Sequence, residues 1–529
     1  MLILQNISYT FPNKDLLFDN INLSLNNRDK VALIGNNGTG KSTLFKIITG
    51  EITSFGGQLS VGTTPYYIPQ IFGQYNEMTI AQALLIDKKL NALKKILAGK
   101  MTEEFLDTLN DDWTIEERCA EAMDHWQLNG LDLTQKMVTL SGGQKTKVFL
   151  AGISIHKPEL VLLDEPSNHL DMAGRQLLYD FIRDTPTALL VISHDRKLLN
   201  LLDAVCELSM RGITIYGGNY DFYSEQKNAE QDALNSDIKS KEKALRKAKE
   251  KERESAERQQ KLDVRGKKKQ EKAGVARILM NTLRDKAENS TSKLKNVHSE
   301  KIGGLSQELK ELRSTVPDID KMKFGFDNSS LHKGKIIFKA TDINFSYGSQ
   351  PLWPKNLNIQ ITSGERIAIK GLNGSGKTTL VKIITNQLKP QTGAAYIAEN
   401  RSVYIDQDYS LIRNDLTVYA QAEHFNTSSL TEGEVKSRLN RFLFTKEDWD
   451  KQCAVLSGGE RMRLMLCCLT IDNHAPDIII LDEPTNNLDI QNIEILTAAI
   501  NEYQGTLIVI SHDEMFCEQI GISKTIFLD

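Results

Sequence analysis

Residues that could hold and cleave a phosphate chain occur twice in this 529-residue sequence, in the same order each time. A glycine-rich stretch that ends in Lys-Ser or Lys-Thr lets backbone N–H groups approach an anion, and the following helix adds a favourable dipole. The copies are Gly35–Ser42 and Gly371–Thr378. Lys41 and Lys377 are expected to reach the β- and γ-phosphates. Two complete sets predict two bound nucleotides at an interface between the halves.

The predicted nucleotide-binding positions extend one residue past each loop. They are Gly35, Asn36, Asn37, Gly38, Thr39, Gly40, Lys41, Ser42 and Thr43, with Gly371, Leu372, Asn373, Gly374, Ser375, Gly376, Lys377, Thr378 and Thr379. An aromatic residue precedes each loop by 24 positions, Phe11 before Gly35 and Tyr347 before Gly371. Each is placed either to stack on an adenine ring or to serve as a strand-edge aromatic of the core.

An Asp-Glu pair ends an apolar run in each half, where an isolated buried carboxylate would be costly. Bound Mg²⁺ would remove that cost, so both aspartates are predicted metal ligands. The predicted Mg²⁺ ligands are Ser42, Gln70 and Asp164 in the first half and Thr378, Gln407 and Asp482 in the second. The neighbouring Glu165 and Glu483 are predicted general bases, which accept a proton from an attacking water.

A Ser-His-Asp sequence follows each Asp-Glu pair after another apolar run. His194 lies 30 residues after Asp164, and His512 lies 30 residues after Asp482. This repeated spacing favours a catalytic role in which the histidine contacts the γ-phosphate. It does not indicate a serine-protease triad, whose members need not be consecutive.

Short apolar runs must position these residues. Leu160–Leu163, Leu189–Ile192, Ile478–Leu481 and Leu507–Ile510 are continuous apolar runs that end at a polar residue. This pattern is typical of parallel strands buried on both faces, with functional residues at their carboxyl ends. We therefore predict an α/β fold in each half.

The segment between the halves has a different composition. Residues 237–313 contain 23 Lys and Arg against 13 Asp and Glu, a net charge of +10, while the whole chain carries -4. Thin apolar stripes predict two helices, 230–260 and 276–314, packed as an antiparallel pair with a turn near 266–274. Gly303-Gly304 raises the alternative of a break or kink in the second helix. The predicted domains are residues 1–223, a basic helical linker at 224–335, and residues 336–529.

About 21 additional residues lie between Gln70 and Ser141 relative to the second half. We place them near Lys88–Asp111, a charged and helical sequence. They are either a neutral surface elaboration or an arm that contacts a partner.

Two further motifs carry a family resemblance. Leu140-Ser141-Gly142-Gly143-Gln144 and Leu456-Ser457-Gly458-Gly459-Glu460 resemble the signatures of ATP-binding-cassette (ABC) ATPases. The resemblance implies two tandem ABC-type P-loop ATPase domains joined by a long helical, antiparallel coiled-coil-like linker. It also implies head-to-tail closure, in which the first phosphate loop faces Ser457, Gly458 and Gly459 and the second faces Ser141, Gly142 and Gly143.

The sequence is similar to the ABC-F proteins in particular. Asp164–Asp171 and Asp482–Asp489 resemble that family's D-E-P-T-N-H-L-D motif, and Tyr216–Tyr223 resembles its lead into the linker. Departures are Ser167 for Thr, Asn487 for His and Glu460 for Gln, all mild, although they could make the two sites unequal.

The resemblance implies an ATPase that uses ATP and Mg²⁺, converting ATP to ADP and phosphate. It implies that the closed form docks in the tRNA exit site of the ribosome, directs its linker toward the P-site tRNA and peptidyl-transferase centre, and leaves after hydrolysis. Regulation of translation or rescue of ribosomes, and antibiotic resistance by ribosome protection, are the alternatives. The expected RNA-contacting residues are Arg265, Lys267, Lys268, Lys269, Lys272 and Arg277. A solvated, charged coiled coil is the alternative for that segment.

Composition supports a cytoplasmic protein, expected to be monomeric, with an intramolecular cassette dimer. No stretch approaches the roughly 20 apolar residues of a membrane helix, and the six cysteines have no metal-ligand spacing. The alternative function is the fused ATPase subunit of a membrane importer, which does not account for the basic linker. DNA maintenance is not expected, because related proteins with that role have much longer helical insertions or zinc ligands.

Overall fold

A computed structural model of the protein describes residues 1–53, 55–270, 296, 299–313, 331–348, 350–372, 374–427, 429–472 and 475–528. The two halves that carry the phosphate-loop motifs together form one compact unit, Met1–Phe222 with Met322–Asp529. Residues Tyr223–Lys321 form a second unit.

The first half is built on two sheets. Its strands are β1 (Leu2–Thr10), β2 (Leu16–Leu25), β3 (Lys30–Ile34), β4 (Gly56–Val61), β5 (Tyr66–Ile68), β6 (Leu160–Asp164), β7 (Ala188–Ile192), β8 (Ala204–Ser209) and β9 (Gly212–Tyr216). The larger sheet has the order β5-β6-β7-β3-β8-β9 and is parallel except for β9. The smaller, antiparallel sheet has the order β2-β1-β4. The apolar runs predicted as buried parallel strands are confirmed, since every residue of β6 and β7 is buried.

Helices flank these sheets in the first half. They are α1 (Lys41–Ile48), α2 (Ile80–Ala83), α3 (Asp87–Leu97), α4 (Glu103–Leu109), α5 (Ile115–His125), α6 (Gly142–His156), α7 (Met172–Asp184) and α8 (Arg196–Leu199). The additional segment is helical as predicted, because α3 and α4 lie within it.

The second half repeats this architecture. Its strands are β10 (Ile336–Asn344), β11 (Leu357–Thr362), β12 (Arg366–Gly371), β13 (Thr392–Ile397), β14 (Ser402–Ile405), β15 (Ile478–Asp482), β16 (Thr506–Ile510) and β17 (Lys524–Leu528). The parallel sheet has the order β14-β15-β16-β12-β17, and the antiparallel sheet has the order β11-β10-β13.

The helices described in the second half are α11 (Lys377–Ile384), α12 (Val418–His424), α13 (Glu432–Arg441), α14 (Gly458–Ile471), α15 (Ile490–Glu502) and α16 (Glu514–Gln519). The labels α9 and α10 belong to the segment between the halves. α14 is buried from Leu464 to Ile471, and Cys467 and Cys468 within it are fully buried, as expected of core residues.

The linker contains α9 (Tyr220–Gln270) and a second helix, α10, over residues 299–313. The predicted turn at 266–274 is wrong in its first part, because α9 continues through Gly266 to Gln270. One glycine costs a helix only about 1 kcal/mol, and helix-forming Lys, Arg and Gln residues surround it without a proline. Gly303 and Gly304 are helical, so the alternative of a break there is also wrong. Residues 271–274 lie outside the described residues.

Within the linker unit, Arg313 donates a hydrogen bond to Glu242 at 2.6 Å, and Lys241 pairs with Glu308. These contacts join α9 to α10 and confirm a helical pair. The antiparallel arrangement stays a prediction. No helix in the described part of the chain has the length and apolar character needed to cross a membrane.

Candidate functional site

The first phosphate loop connects β3 to α1 in a conformation that depends on glycine. Gly38 and Gly40 have positive φ angles of 83° and 94°. A Cβ atom at Gly40 would also lie 2.8 Å from the Phe18 ring, so the loop lies against the core with no space for a side chain. Lys41 donates hydrogen bonds to the backbone oxygens of Gly35 and Asn36, at 2.6 Å and 3.2 Å. Its amine is therefore held beside the loop.

Residues of both halves line a cavity of about 410 Å³ at this loop. That volume is within the range of small-ligand sites. The predicted site residues on its wall are Phe11, Asn37, Gly38, Gly40, Lys41, Ser42, Thr43, Gln70, Asp164, Glu165, His194 and Ser457. Ser457 of the second half therefore lies on the same cavity wall as the first phosphate loop, while Gly458 lines another cavity. That Gly458 and Gly459 face this loop stays a prediction.

Asp164 is the carboxylate at the end of β6, with only 2% of its surface exposed. Burial raises its pKa, while hydrogen bonds from Ser42 and Tyr67 lower it. The Tyr67 hydroxyl donates to Asp164 Oδ2 at 3.3 Å. Asp164 and Ser42 therefore adjoin one another and offer oxygen ligands of the kind that Mg²⁺ prefers.

Glu165 adopts an unusual backbone conformation, with φ of 52°, and its side chain lies beside His194. Glu165 Oε1 is 3.2 Å from His194 Nε2, too poorly aligned to count as a hydrogen bond. The backbone N–H of His194 donates to Glu165 Oε2 at 3.3 Å. Burial, reinforced by Asp164, raises the pKa of Glu165 to about 8. Burial also holds the pKa of His194 well below its usual value, so the imidazole is neutral at pH 7.

The second half reproduces this chemistry. Lys377 donates to the backbone oxygens of Gly371 and Leu372, at 2.7 Å and 3.0 Å. Glu483 has φ of 46°, and its Oε1 lies 3.4 Å from His512 Nε2. Burial raises the pKa of Glu483 to about 7 and lowers that of His512 to about 4.

The remaining predicted residues of the second half include Gln407, Tyr347 and Asn373. Gln407 is exposed and lines a different cavity, of about 660 Å³, together with Gly458 and Asn487. Tyr347 is 70% exposed, and its hydroxyl lies 3.1 Å from Thr379 Oγ1. Asn373 lies outside the described residues. The assignments of Gln407 and Tyr347 stay predictions.

The signature motifs begin α6 and α14, which confirms that each opens a helix. Ser141 and Ser457 are the N-caps, and both form capping boxes with the residue three positions later. Gly142 and Gly143 lie against His169, where a Cβ at Gly143 would approach the His169 backbone oxygen to 2.7 Å.

Hydrogen bonds connect the two halves at the first site. The backbone N–H of Asn37 donates to Asp489 Oδ2 at 2.8 Å, and its side chain donates to the Asn487 backbone oxygen at 3.3 Å. Asn168 donates to the Asn487 side chain at 3.4 Å. Motif residues of each half therefore meet motif residues of the other.

Charged groups of the first half also act on residues of the second site. Burial lowers the pKa of Lys377, and the negative charges of Glu483, Asp482 and Asp171 oppose that shift, the last of these from the first half. Arg175, itself buried, lowers the pKa of Glu483 against a larger opposing effect of burial. The matching position in the second half, 318 residues later, is Ile493, which carries no charge.

Sequence reasoning missed two pairs of matched residues. Tyr404 donates to Asp482 Oδ2 at 2.6 Å, as Tyr67 does to Asp164. Each tyrosine comes three residues before the matched glutamine, Gln70 or Gln407, so comparison of the two copies could have found them.

The second missed pair connects the signature helix to the chain after the matched glutamine. Lys145 of α6 donates to Asn76 Oδ1 at 2.7 Å, and Arg461 of α14 donates to Asn414 Oδ1 at 2.7 Å. The sequence shows a cationic residue directly after each signature. It does not show which asparagine this residue contacts, because the asparagine lies 69 residues away in one half and 47 in the other.

The basic residues of the linker are only partly described. Arg265 is exposed on α9, and Lys267, Lys268 and Lys269 belong to the same helix. Lys272 and Arg277 lie outside the described residues. RNA contact by these six residues stays a prediction.

Comparison with known proteins gives consistent matches along the chain. The family model described as "ABC transporter" matches residues 18–168 and 354–486. The chain is 30% identical to "ATP-binding protein Uup" of Escherichia coli K12, over 97% of this chain and 78% of that protein. It is 27% identical to "ABC transporter F family member 5" of Arabidopsis thaliana, over 98% of this chain and 73% of that protein.

A solved structure shares the fold. A chain in the structure described as "Model of ribosome-bound archaeal Pelota and ABCE1" matches with a TM-score of 0.56 and 18% identity. The match covers 97% of this chain and 74% of that one. At this identity the similarity concerns the fold alone.

Proposed function

The chain belongs to the ABC-F group of the ATP-binding-cassette family and is an ATPase, and from this we propose that it binds two ATP molecules with Mg²⁺ between its cassettes and acts on the ribosome. The first and second halves are its first and second cassettes. The observation that carries the proposal is the cavity at the first phosphate loop, whose wall includes Ser457 of the opposite cassette.

The residues around this cavity suit Mg²⁺ and a nucleotide triphosphate. Ser42, Gln70 and Asp164 would hold the ion through oxygen atoms, which are the ligands it prefers. Bound Mg²⁺ supplies positive charge that stabilises the phosphate oxygens. Tyr67 orients Asp164 through its hydrogen bond. Thr378, Asp482 and Tyr404 have the matching roles in the second site, with Gln407 assigned by its spacing.

The chain's own side chains then carry the reaction. Lys41 and Lys377 hold the terminal phosphates, and Phe11 and Tyr347 stack on the adenine rings. Glu165 in its ionised form accepts a proton from the attacking water, and neutral His194 contacts the γ-phosphate. Each signature serine binds the γ-phosphate of the ATP that is held by the phosphate loop of the opposite cassette. Because hydrolysis removes this shared phosphate, it releases the two cassettes from one another.

The family and the basic linker support a ribosomal target. A ribosome-bound structure shares the fold, and residues 237–313 carry a net charge of +10, which favours salt-sensitive binding to RNA. In the proposal the closed protein enters the tRNA exit site, and the linker at 224–335 extends toward P-site tRNA from cassettes at 1–223 and 336–529. The protein acts as a cytoplasmic monomer in regulating translation or rescuing ribosomes. Growth with ribosome-targeting drugs tests the antibiotic-resistance alternative.

Replacement of both general bases tests the ATPase assignment. The double variant Glu165→Gln with Glu483→Gln keeps the side-chain size but removes the proton acceptors, so ATP should bind normally while turnover falls by about 100-fold or more. Phosphate release and equilibrium ATP binding are the two measurements. Hydrolysis at the native rate would contradict the assignment of both glutamates.

Sedimentation of the same variant with ribosomes through a sucrose cushion tests the target. We expect more protein in the ribosome pellet with ATP than with ADP, and less at high salt. Lys41→Ala with Lys377→Ala is the matched control, because it should lose the effect of ATP. If ATP binds but the protein does not sediment with ribosomes, the ribosomal target is wrong and fractionation with membranes tests the importer alternative.

A further inference from the structure

The two signature turns differ in one hydrogen bond. In α14 the Ser457 hydroxyl donates to Glu460 Oε2 at 2.7 Å, and the same oxygen accepts the Ser457 backbone N–H at 2.8 Å. In α6, Gln144 Oε1 accepts the Ser141 backbone N–H at 2.9 Å. Among the described residues no acceptor takes the Ser141 hydroxyl hydrogen. The backbone half of the cap is the same in both helices, since each serine oxygen accepts the N–H three residues later at 3.3 Å.

This difference follows from the chemistry of the two side chains. A carboxylate only accepts hydrogen bonds, and those it accepts are stronger than bonds to a neutral amide oxygen. Glu460 therefore fixes the direction of the Ser457 hydroxyl. Gln144 leaves the Ser141 hydroxyl free to rotate toward another acceptor.

The position of Ser457 gives this bond a consequence. Ser457 lies on the wall of the same cavity as Lys41 and Ser42 of the first phosphate loop. An anion bound between them can accept a hydrogen bond from the Ser457 hydroxyl only if that hydroxyl gives up its hydrogen bond to Glu460. The negative charge of Glu460 next to Ser457 opposes that anion as well.

We propose that Glu460 is a positioning residue that withholds the Ser457 hydroxyl from the terminal phosphate of ATP, so that the first site grips ATP more weakly than the second. The inference rests on the proposed function, in which each ATP lies between one phosphate loop and the opposite signature. ADP lacks the γ-phosphate, so Glu460 leaves ADP binding unchanged. The two ATP sites of this chain therefore differ in their affinity for ATP because only the second signature carries a carboxylate.

Glu460→Gln tests this directly, since it gives the second signature the side chain that the first already carries. In a Lys377→Ala background, which removes phosphate binding at the second site, the remaining ATP binds at the first. We expect the Kd for labelled ATP with Mg²⁺ to fall about fivefold, the difference between a charged and a neutral hydrogen-bond partner, while the Kd for ADP is unchanged. An unchanged Kd for ATP, or equal changes for ATP and ADP, would overturn the inference.

The reciprocal change provides the matched control. In a Lys41→Ala background, Gln144→Glu should weaken ATP binding at the second site about fivefold, and Glu460→Gln should have no effect. Both substitutions keep the capping box, so a change in ATP affinity would not result from loss of the helix cap. With both lysines intact, Glu460→Gln should bring the two Kd values of a two-site ATP isotherm closer together, and a wider gap would overturn the inference. No ATP binding to the unaltered protein would instead contradict the proposed function.

Discussion

The carboxyl groups at the end of β6 are buried and those at the end of β15 are partly buried, which is rare for acidic residues without a partner. Each aspartate has a tyrosine donor, and each glutamate lies beside a histidine. The Nδ1 atoms of His194 and His512 are buried and make no hydrogen bond within the described part of the chain. Buried titratable groups that are incompletely paired indicate a functional site, because the fold alone would gain stability from apolar residues there.

At the scale of single residues, Tyr67→Phe and Tyr404→Phe should weaken the use of Mg²⁺. Each change removes the hydrogen bond that orients an aspartate, and such changes typically lower metal affinity by about 10- to 100-fold. The Mg²⁺ concentration that gives half the maximal ATPase rate should therefore rise in both variants. Titration of the rate with Mg²⁺ at saturating ATP measures it.

Tyr66→Phe is the matched control, because the Tyr66 hydroxyl donates to the backbone oxygen of Phe149 at 3.0 Å and has no part in the metal site. Its Mg²⁺ dependence should equal that of the unaltered protein. Equal Mg²⁺ curves for Tyr67→Phe and Tyr66→Phe would show that Tyr67 does not support Asp164.

At the scale of elements, the helices of the additional segment depend on Asp112. Its carboxylate accepts hydrogen bonds from both Arg118 Nη atoms of α5, at 2.7 Å and 2.9 Å, and from the Lys89 amine of α3, at 2.9 Å. The side chain is 14% exposed. Asp112 therefore joins α3 to α5 through charged hydrogen bonds.

Asp112→Asn should lower the free energy of unfolding by about 1.5–3 kcal/mol, the range for hydrogen bonds to a charged group. Arg118 lowers the pKa of Asp112 to about 2, so this stabilisation is present above the unfolded pKa, near 3.9, and is lost as the pH falls toward 2. Denaturant unfolding at pH 7 and pH 3 measures it. Asp107→Asn, an exposed change on α4, is the control, and equal effects of the two would contradict this role.

Local pattern predicted the elements better than it predicted their connections. The strands that end at Asp164 and Asp482, the helices that begin after Ser141 and Ser457, and the helical additional segment all follow from runs and caps of a few residues. α9 extends through Gly266 because the penalty of one glycine is small against a long run of helix formers. Pairings between distant positions, such as Asn76 with Lys145, depend on tertiary packing and left no local signal.

At the scale of the whole molecule, the cassettes meet at a buried arginine next to the first Ser-His-Asp motif. Arg196 of α8 donates to Gln519 at 3.0 Å and lies 3.8 Å from Glu494, both in the second cassette. Its guanidinium carbon also lies 6.0 Å from the ring centre of Tyr220, the first residue of α9. One side chain thus contacts both cassettes and the first turn of the linker helix.

Arg196→Met should destabilise the joined cassettes by about 1.5–3 kcal/mol, because it removes the hydrogen bond that a buried charged group donates across the interface to Gln519. Lys197→Met, which removes the neighbouring exposed pair with Glu514, should cost less than about 1 kcal/mol. Unfolding in denaturant measures both variants. Equal losses would indicate that the buried contact contributes no more than the exposed one.

The side chain of Asp489 connects two structures that lie far apart in sequence. Its Oδ1 accepts the Asn492 N–H at the start of α15, while its Oδ2 accepts the Asn37 N–H in the first phosphate loop. The Asn37 amide hydrogen is therefore shielded from solvent exchange only while the cassettes lie together. Deuterium uptake at this one amide would read the opening of the molecule directly, without an attached label, and would time each separation during turnover.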